Sequence, residues 1–596
     1  MKWVLAEHDA GVASALAQQA GLHPLIARLM AIRGITEETD ARFFLSCELS
    51  SLSDPYIFRQ MEKAIGRIRM AIAGREKIII YGDYDVDGVS GTSLLYLALE
   101  HLGANVSTYI PDRMSEGYGL NADALDKIKN SGVSVVISVD CGITATTAAE
   151  TARSIGLDLI ITDHHELACR KSPCGIPAQS EDNPKIAADN SGYDIPAAYA
   201  VLHPALLLPN IPMQVRQHVD GLTGVGIAFK LVQALLGVDA GNDRLRSYLD
   251  LVALGTVADL GQVTGENRIL VRHGLDVLSA NPAALRPGIA ELIRVAGLEG
   301  KKIGVGTIGF SLAPRINASG RLEHANKALR LLITNSAQEA KLIAVALDQI
   351  NRERQTVEES IWEEARGLCR QRDLAVSGAF VLSSGQWHPG VIGIVASRIV
   401  EEFYRPTALI CVQDGVGKGS ARSIPGFDLY AGLAACSDLL LGFGGHKYAA
   451  GFSITAENVP RLQERLNALV LEQLGSHGFL RTIAVDCAVT LDELTIDLMQ
   501  EIDKLAPFGQ GNPEPKLGAR GLAVVSARIV GKNHLKLRLK QGNGPAMDAI
   551  AFNRGSFLGS KVKDGVRLAA VFTPRLHTWN GSTSVELDIR DIKIDK

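Results

Sequence analysis

The sequence predicts an α/β protein with a parallel-sheet domain, a second α/β domain joined to it by long helices, and a C-terminal antiparallel β-barrel. Short apolar segments alternate with amphipathic helical segments from residue 61 to about 275, which is typical of βαβ units. A long charged helical stretch follows, and short strands and turns dominate after residue 475. The 596 residues are too many for one core, and about 150 residues per domain predicts three or four domains.

The first two predicted parts are a helical lead-in and a parallel-sheet domain. Residues 1–60 form the lead-in, because "VASALAQQAGL" and "HPLIARLMAIRG" have helical periodicity and strand signals are few. In residues 61–280 the predicted strands are "KIIIYGD", "NVSTYIP", "VSVVISVD" and "LDLIITDHH", and helical segments such as "GTSLLYLALEHLG" separate them. This alternation predicts parallel strands that are covered by helices.

The remaining boundaries follow changes in the pattern. Residues 281–373 are a linker and connecting helices, whose clearest part is "AQEAKLIAVALDQINRERQTVEESIWEEARGLCRQRD". Residues 374–470 are the second α/β domain, with "AFVLSSGQWHPGVIGIVASRIVEEF" and "TALICVQDGVGKGSARS". Residues 475–596 are the barrel, because short strands such as "RIVGKNHLKLRLKQGNG" are separated by turn residues.

The composition is that of a globular protein. Apolar residues make up 46% of the chain and charged residues 21%. No stretch approaches the run of about 18 apolar residues that a membrane span needs, so a cytoplasmic protein is expected. The eight cysteines are scattered and do not form the dense pattern of a disulfide framework.

Charge is distributed unevenly along the chain. The net charge is −4, but residues 516–596 contain 15 Lys and Arg against 6 Asp and Glu, so the rest of the chain carries about −13. A basic domain of this kind is either a solvated surface or a module that binds nucleic-acid phosphates. Charge alone leaves both interpretations open.

Charged motifs recur where apolar strands end. "GDYDVDG", "VDCG" and "TDHH" each follow an apolar strand directly, and "LVALGTVADLGQV" places an aspartate at the end of another apolar run. Because open α/β sheets bind ligands at the carboxyl ends of their strands, we expect these side chains to converge from neighbouring strand ends. The expected metal ligands are Asp85, Asp87, Asp140, His164 and Asp259. Carboxylates with one imidazole favour Mn²⁺ or Mg²⁺, and the set suffices for two ions about 3.5–4 Å apart that clamp a phosphoryl centre.

Each motif has a simpler interpretation when it is taken alone. An Asp-Gly turn, an aspartate N-cap or a surface pair of histidines would explain the pieces separately. His164, His165, Cys169 and Cys174 can also be drawn as a zinc site, although the cysteine spacing is at the limit of the usual range. "GVGKGS" lacks the first glycine of a GxxxxGK nucleotide loop, since that position is Val412, so ATP binding is not expected.

The motifs resemble those of the DHH phosphoesterase family. "GDYDVDGVSG", "VDCGIT" and "TDHHE" carry this resemblance. "IPDRMSEGYGL", "LAPRINASGRL", "INRERQ", "WHPGVIGIVASR", "GSARS", "GFGGHKYAAGFS" and "LAPFGQGNPEP" are similar, in this order and over nearly the whole chain, to the RecJ exonucleases within that family. The segment "LACRKSPCGIPAQSED" before Asn183 and Pro184 departs from the family pattern, because it is longer and more polar.

The resemblance implies a role for each matching residue. The five metal ligands are the same as those above; Asp83 and Asp163 would lie close to the cluster, and His165 would contact the scissile phosphate. In the second α/β domain, which resembles a DHHA1 domain, His446 of "GGH" would approach the same phosphate. The residues implied to hold the DNA backbone or the 5′-terminal phosphate are Arg315, Asn317, Arg321, His388, Ser420 and Arg422. For the arginines, an ordinary surface ion pair is the alternative.

The barrel resembles an OB-fold, which binds single strands with a basic groove and stacking aromatics. The candidate stacking residues are Phe552, Phe572, His577 and Trp579. For each of them, a place in the core or at the rim of the barrel is an equally good interpretation.

The family implies a metal-dependent exonuclease that hydrolyses single-stranded DNA from 5′ to 3′ by two-metal catalysis, releases 5′ mononucleotides and acts in DNA repair and recombination. Its implied partners are single-stranded DNA, a helicase and a single-strand-binding protein, and a monomer is expected. Two alternatives remain: a DHH phosphoesterase for short oligonucleotides or cyclic dinucleotides, and a non-catalytic strand-binding scaffold. The basic barrel argues against the first alternative, and the intact ligand set argues against the second.

Overall fold

The computed structural model describes residues 1–112, 116–117, 119–168, 192–239, 241–475, 478–558, 562–579 and 581–595. Two compact units are present. The larger unit comprises Trp3–Ala313, Ala325–Lys341 and Ala484–Lys596, and the smaller unit comprises Met1–Lys2, Pro314–His324 and Leu342–Ile483.

The strands, in chain order, are β1 (Lys2–Leu5), β2 (Lys77–Gly82), β3 (Asn105–Tyr109), β4 (Val133–Val139), β5 (Asp158–Thr162), β6 (Ala200–Leu202), β7 (Phe380–Ser384), β8 (Thr407–Gln413), β9 (Val416–Arg422), β10 (Leu440–Gly445), β11 (Ala449–Thr455), β12 (Thr482–Val485), β13 (Cys487–Ala488), β14 (Leu517–Val530), β15 (His534–Gln541), β16 (Met547–Ala551), β17 (Arg567–Trp579) and β18 (Ser582–Ile594).

The helices, in chain order, are α1 (Ala10–Gln19), α2 (Pro24–Ile32), α3 (Glu38–Ser46), α4 (Met61–Ala73), α5 (Val86–His101), α6 (Ala122–Asn130), α7 (Thr146–Ser154), α8 (Met213–Val219), α9 (Gly224–Leu236), α10 (Asp243–Arg246), α11 (Leu249–Ala258), α12 (Gly265–Leu278), α13 (Pro287–Val295), α14 (Val305–Thr307), α15 (Ala313–Leu322), α16 (Asn326–Ile333), α17 (Ala337–Arg370), α18 (Ile392–Phe403), α19 (Leu429–Ala434), α20 (Val459–Leu474) and α21 (Ile496–Asp503). A π-helical turn, Ile308–Leu312, joins α14 to α15.

A five-stranded parallel sheet forms the centre of the larger unit. Its strand order is β3-β2-β4-β5-β6, and every neighbouring pair is parallel. Strands β2 and β4 are buried along almost their whole length, which explains why their sequences are continuous apolar runs. Because β3 lies on one side of β2 and β4 on the other, the chain changes direction across the sheet at this point. The carboxyl ends of β2 and β4 therefore form the kind of crevice where open α/β sheets bind ligands.

Three helices of this unit pack against one another and are buried on nearly every side. Helices α5, α9 and α11 make mutual contacts, and all but the last residue of α9 is buried. The run "LVALGTVA" that precedes Asp259 belongs to α11 and is not a strand, so the expectation that Asp259 comes from a strand end is wrong. A helix that is apolar all around has no periodicity that distinguishes it from a buried strand.

The C-terminal part of the larger unit is a closed five-stranded barrel. The strand order is β14-β15-β16-β18-β17, and pairing of β14 with β17 closes it. The pairs are antiparallel, as the sequence predicts, except that β16 and β18 are parallel. Helices α1–α3 pack on the barrel, and residues such as Leu25 and Leu29 share one core with Leu517 and Phe572. Phe572 is fully buried in that core, so its prediction as a stacking residue is wrong.

The smaller unit contains a second five-stranded sheet, which confirms the prediction of a second α/β domain. Its order is β10-β11-β9-β8-β7, where β7 and β8 are parallel and the other pairs are antiparallel. Helix α18 packs on β8 and β9. Helix α17, at 34 residues, is the long charged helix that the sequence predicts.

A helix that spans a membrane must be both long and apolar. Taken singly, no helix in the described part of the chain has the necessary length and apolar character. Helices α8 and α9 satisfy these requirements only as a pair, with a bend of 115° between them.

Candidate active site

Three aspartates follow β2, and each has a different structural position. Asp83 comes directly after the strand and is buried. Asp85 is the N-cap of α5, and its carboxylate accepts the N–H groups of Asp87 at 2.9 Å and Gly88 at 3.1 Å. Asp87 lies in the first turn of α5 and is fully buried. Like charges are thus placed together by the strand-to-helix transition rather than by a surface turn.

The amino end of α9 holds Asp87 from the opposite side. The Asp87 carboxylate accepts the N–H of Gly224 at 2.7 Å and that of Val225 at 3.0 Å. Helix N-termini favour anions, so this contact compensates part of the burial of the carboxylate.

Asp140 and His164 bring the neighbouring strand ends to Asp87. Asp140 follows β4 in the left-handed region, with φ 63°, and is buried. The Nε2 atom of His164, which follows β5, lies 3.1 Å from Asp140 Oδ1, 3.8 Å from Asp87 Oδ2 and 3.6 Å from Asp259 Oδ2. Asp259 is the C-cap of α11. The structure therefore brings together four of the five predicted metal ligands around one imidazole nitrogen.

The fifth ligand belongs to an adjoining group. Asp83, Asp85 and Asp140 each offer an oxygen, and these oxygens lie within 4.8 Å of one another. Asp87, His164 and Asp259 form a second group by the same distance, and Asp140 also groups with His164 and His165. Asp140 therefore adjoins both groups, with its Oδ1 atom 3.1 Å from His164 Nε2.

The donor atoms fit a divalent cation. Asp140 Oδ1 and His164 Nε2 are buried, and neither has a hydrogen-bond partner among the residues that the structure describes. Burial, followed by the charge of Asp87, raises the pKa of Asp140 well above its usual value. Burial lowers the pKa of His164 to about 4, so this imidazole is neutral, as a metal ligand must be. Buried carboxylates and a neutral imidazole of this kind lack only the positive charge that a metal would supply.

Asp163 orients His165 and controls its charge. The buried Asp163 carboxylate accepts the N–H groups of Ile143 and His164, both at 2.8 Å, and lies 2.7 Å from His165 Nδ1. Burial lowers the pKa of His165, but the hydrogen bond and charge of Asp163 outweigh it and raise the pKa to about 9. His165 is therefore a cation at neutral pH. His203, which the sequence did not single out, lies with Nε2 2.8 Å from the His165 carbonyl oxygen.

Two glycines that the sequence analysis missed leave room for the cluster. A Cβ at Gly224 would lie 2.6 Å from Asp140 Cβ, and a Cβ at Gly255 would lie 2.7 Å from Asp87 Oδ1. Neither distance leaves space for a side chain. A single sequence gives no signal for such positions, because the need for glycine arises from a distant carboxylate.

Four of the predicted phosphate-binding residues lie around the start of α18 in the smaller unit. Arg422 donates to Ser420 Oγ at 3.1 Å, and a Cβ at Gly393 in the first turn of α18 would lie 2.8 Å from the same oxygen. Arg321 donates to the Gly390 carbonyl oxygen at 3.0 Å, and His388 Nδ1 accepts the Gly390 N–H at 3.1 Å. Two guanidinium groups, a hydroxyl and an imidazole at a helix N-terminus form a suitable phosphate site.

The other predicted residues of the smaller unit lie elsewhere. Arg315 forms an ion pair with Asp348 at 2.9 Å, and both side chains are largely buried, unlike the surface ion pair that is the alternative for the arginines. Asn317 lies on α15 between Arg315 and Arg321 and is half-buried. His446 is exposed and follows β10 in the turn that leads to β11.

Some predictions fall outside the described residues. These are Cys169 and Cys174 of the alternative zinc site, the segment up to Asn183 and Pro184, and the side chain of Trp579. Of the remaining candidate stacking residues, His577 is exposed and Phe552 is half-exposed with its ring against His534.

The parallel sheet and the carboxylate–histidine cluster at its strand ends define a DHH phosphoesterase. Three protein-family models match the chain. The family model described as "DHH family, N-terminal domain" matches residues 77–256, the one described as "DHHA1 domain" matches residues 376–472, and the one described as "RecJ OB domain" matches residues 485–591. The chain belongs to the RecJ exonuclease family, and it is accordingly a metal-dependent nuclease that hydrolyses phosphodiester bonds.

Relatives cover nearly the whole chain. The single-stranded-DNA-specific exonuclease RecJ of Bacillus subtilis is 36% identical over all of this chain and 71% of that protein. The protein of the same name from Escherichia coli is 33% identical over 96% of each chain. The crystal structure of Thermus thermophilus RecJ with Mn²⁺ matches with a TM-score of 0.79 and 30% identity, covering 100% of this chain and 80% of that one. A second structure of that protein contains Mg²⁺.

The carboxyl cluster predicts that divalent metal weakens a pH dependence of stability. Burial, with neighbouring carboxylates, raises the pKa of Asp87 to about 7 and that of Asp259 to about 8. The metal-free native state therefore binds protons that the unfolded chain releases, so its stability falls as pH rises from 6.5 to 8. Thermal unfolding in EDTA should show this fall, and added Mg²⁺ should reduce it because the metal displaces the carboxyl protons.

Asp259→Asn is the matched control, because it removes one of the groups that titrate in this window. Its metal-free form should show a smaller fall between pH 6.5 and 8. A metal-free wild type whose midpoint rises over this range would contradict the assignment of protons to the cluster.

Gly255→Ala should weaken metal binding without changing a metal ligand. The added methyl would lie 2.7 Å from Asp87 Oδ1 and would displace that carboxylate. A loss of about 10–100-fold in Mn²⁺ affinity is expected, as for other changes beside metal ligands. Isothermal titration calorimetry measures this, and Gly66→Ala is the comparison for a glycine change elsewhere in the larger unit, because this exposed residue of α4 has no positive φ and its Cβ would have nothing within 4 Å.

Proposed function

We propose that this protein is a two-metal exonuclease that degrades single-stranded DNA from its 5′ end, releases 5′ mononucleotides and acts in DNA repair and recombination. The observation that carries the proposal is the pair of adjoining ligand groups, Asp83, Asp85 and Asp140 in one and Asp87, His164 and Asp259 in the other. When bound there, two Mn²⁺ or Mg²⁺ ions would activate a water molecule and offset charge on the phosphoryl oxygens.

The chain's own residues would divide the remaining tasks. Asp85, Asp87, Asp140, His164 and Asp259 would hold the metals. Asp83 lies in the same cluster. His165, kept positively charged by Asp163, would donate a hydrogen bond to a non-bridging oxygen of the scissile phosphate. His446 of the smaller unit is proposed to contact the same phosphate.

The direction of attack is proposed from the smaller unit. Arg321, His388, Ser420 and Arg422 surround the first turn of α18, and this arrangement suits a phosphate monoester, which carries more charge than an internal phosphodiester. A site that holds the terminal 5′ phosphate would make each cut begin from that end. Arg315 and Asn317, on the neighbouring α15, are proposed to contact the strand's backbone.

The substrate is proposed from the barrel and from the relatives. The relatives bear the name single-stranded-DNA-specific exonuclease. The barrel region has a surplus of Lys and Arg, and Phe552 and His577 on its surface can stack on unpaired bases. A helicase and a single-strand-binding protein would supply and present the strand, and the enzyme would act as a monomer in the cytoplasm.

The direct test follows digestion of single strands labelled at the 5′ or the 3′ end, in Mn²⁺. Label at the 5′ end should appear at once as mononucleotide, and Asp140→Ala should reduce the rate by a factor of about 10³ or more, since both metals lose a ligand. Binding without cleavage would favour a strand-binding scaffold. Attack from the 3′ end would contradict the proposed 5′-phosphate site.

Arg422→Met tests the 5′-phosphate site itself. On strands with a 5′ phosphate, kcat/KM should fall about 10–100-fold, the value of a hydrogen bond to a charged group. Strands with a 5′ hydroxyl should be affected much less. Arg398→Met is the matched control, because Arg398 lies on α18, whose first turn the proposed site surrounds, but pairs with Glu358 and Glu359. Equal losses on both kinds of strand would assign Arg422 a structural role.

A further inference from the structure

A segment between α21 and β14 contacts the residues that follow Asp259. We call Lys504–Asn512 the C-terminal arm. The Val263 N–H donates to the Gln510 carbonyl oxygen at 2.7 Å, and a Cβ at Gly509 would lie 2.6 Å from Val263 Cγ2. Val263 is buried and lies four residues after Asp259. The polypeptide that leaves this metal ligand is therefore held by a segment from the C-terminal part of the chain.

Arg268 fixes the C-terminal arm to the catalytic part of the larger unit. It lies on α12 and is 1% exposed. Its guanidinium donates to the carbonyl oxygens of Leu505 at 2.8 Å, Lys504 at 2.9 Å and Phe44 at 3.0 Å. Burial lowers the pKa of Arg268 to about 10. The buried guanidinium needs these carbonyl oxygens as hydrogen-bond acceptors. Arg268 and the C-terminal arm therefore stabilise each other's positions.

The C-terminal arm is also closed on itself. The fully buried Asn512 side chain donates to the carbonyl oxygens of Leu505 at 2.8 Å and Pro507 at 2.9 Å. The Gly509 N–H donates to the Asn512 carbonyl oxygen at 2.9 Å. These bonds shape the turn that carries Gln510 towards Val263.

The residue before Arg268 connects the same helix to the other side of the metal cluster. The Asn267 side chain donates to the Gln262 carbonyl oxygen at 3.1 Å and to that of Gly221. Gly221 begins the short segment that leads to Gly224, whose N–H binds Asp87. Consecutive residues of α12 thus anchor the two segments that position Asp87 and Asp259.

We propose that Arg268 is a positioning residue of the metal centre. By holding the C-terminal arm against Gln262 and Val263, it fixes the end of α11 and with it the Asp259 carboxylate, so that metal affinity depends on the arm. The inference rests on the proposed metal site and adds to it a dependence on residues that touch neither metal nor substrate.

The test measures Mn²⁺ binding by titration calorimetry on the full chain, apart from nuclease activity. Arg268→Met should weaken Mn²⁺ binding by about 10-fold or more, while binding of single-stranded DNA in EDTA stays unchanged. Arg268→Lys should recover part of the affinity, because it keeps a buried cation that donates to the carbonyls. Arg272→Met is the matched control: this exposed residue lies one turn along α12 and donates to the same arm only at the Ala506 carbonyl oxygen, at 3.2 Å. It should bind Mn²⁺ like the wild type.

The outcomes separate the inference from the proposed function. A wild type that binds no Mn²⁺ would overturn the proposed metal site. A folded Arg268→Met variant with wild-type Mn²⁺ affinity would overturn the inference alone, and so would a loss confined to DNA binding. If Arg268→Met does not fold, Asn512→Ala decides between the same outcomes, because it loosens the arm and leaves Arg268 in place.

Discussion

The larger unit depends on one constraint: buried carboxylates must be held together against their mutual repulsion. Asp87 and Asp140 are almost inaccessible to solvent, and burial and neighbouring carboxylates raise the pKa of each. The described residues offset this repulsion only partly, chiefly through the two N–H groups at the amino end of α9. Such a cluster keeps one geometry because the surrounding structure determines the backbone positions that carry it.

That requirement explains why the supporting helices are buried on all sides. Helices α9 and α11 are buried along their length, so they cannot shift to relieve the charge repulsion. Each presents a glycine to a carboxylate: Gly224 of α9 faces Asp140, and Gly255 of α11 faces Asp87. Helix backbone therefore approaches the ligands more closely than any side chain would permit. The dense packing of these helices therefore holds the carboxylates of the acidic site in place.

The sequence predicted what local pattern determines. Alternating strands and helices gave the parallel sheet, and adjacency of β2, β4 and β5 brought Asp83, Asp140 and His164 to one edge. Prediction from the sequence failed where an element is completely buried or where the contacting residues are far apart in the chain. The fully buried α11 was mistaken for a strand, and the sequence left open whether the Phe572 ring stacks on bases or lies in the core. The contact of the C-terminal arm with Val263 joins residues far apart in the chain. The grouping of Ser420 and Arg422 at α18 came from family resemblance alone.

The charge asymmetry of the chain follows from the chemistry of the cluster. A site made of carboxylates repels a polyanion until cations occupy it, and the rest of the chain outside residues 516–596 carries about −13. Attraction for the proposed substrate must then come from a separate surface with the opposite sign, which the barrel supplies with its surplus of Lys and Arg. Placing that surface in the same compact unit as the cluster, with a barrel core that α1–α3 complete, keeps a basic strand-binding module beside an acidic catalytic one. Because metal binding and strand binding use separate surfaces of one unit, the cluster can be strongly acidic while the barrel surface is strongly basic.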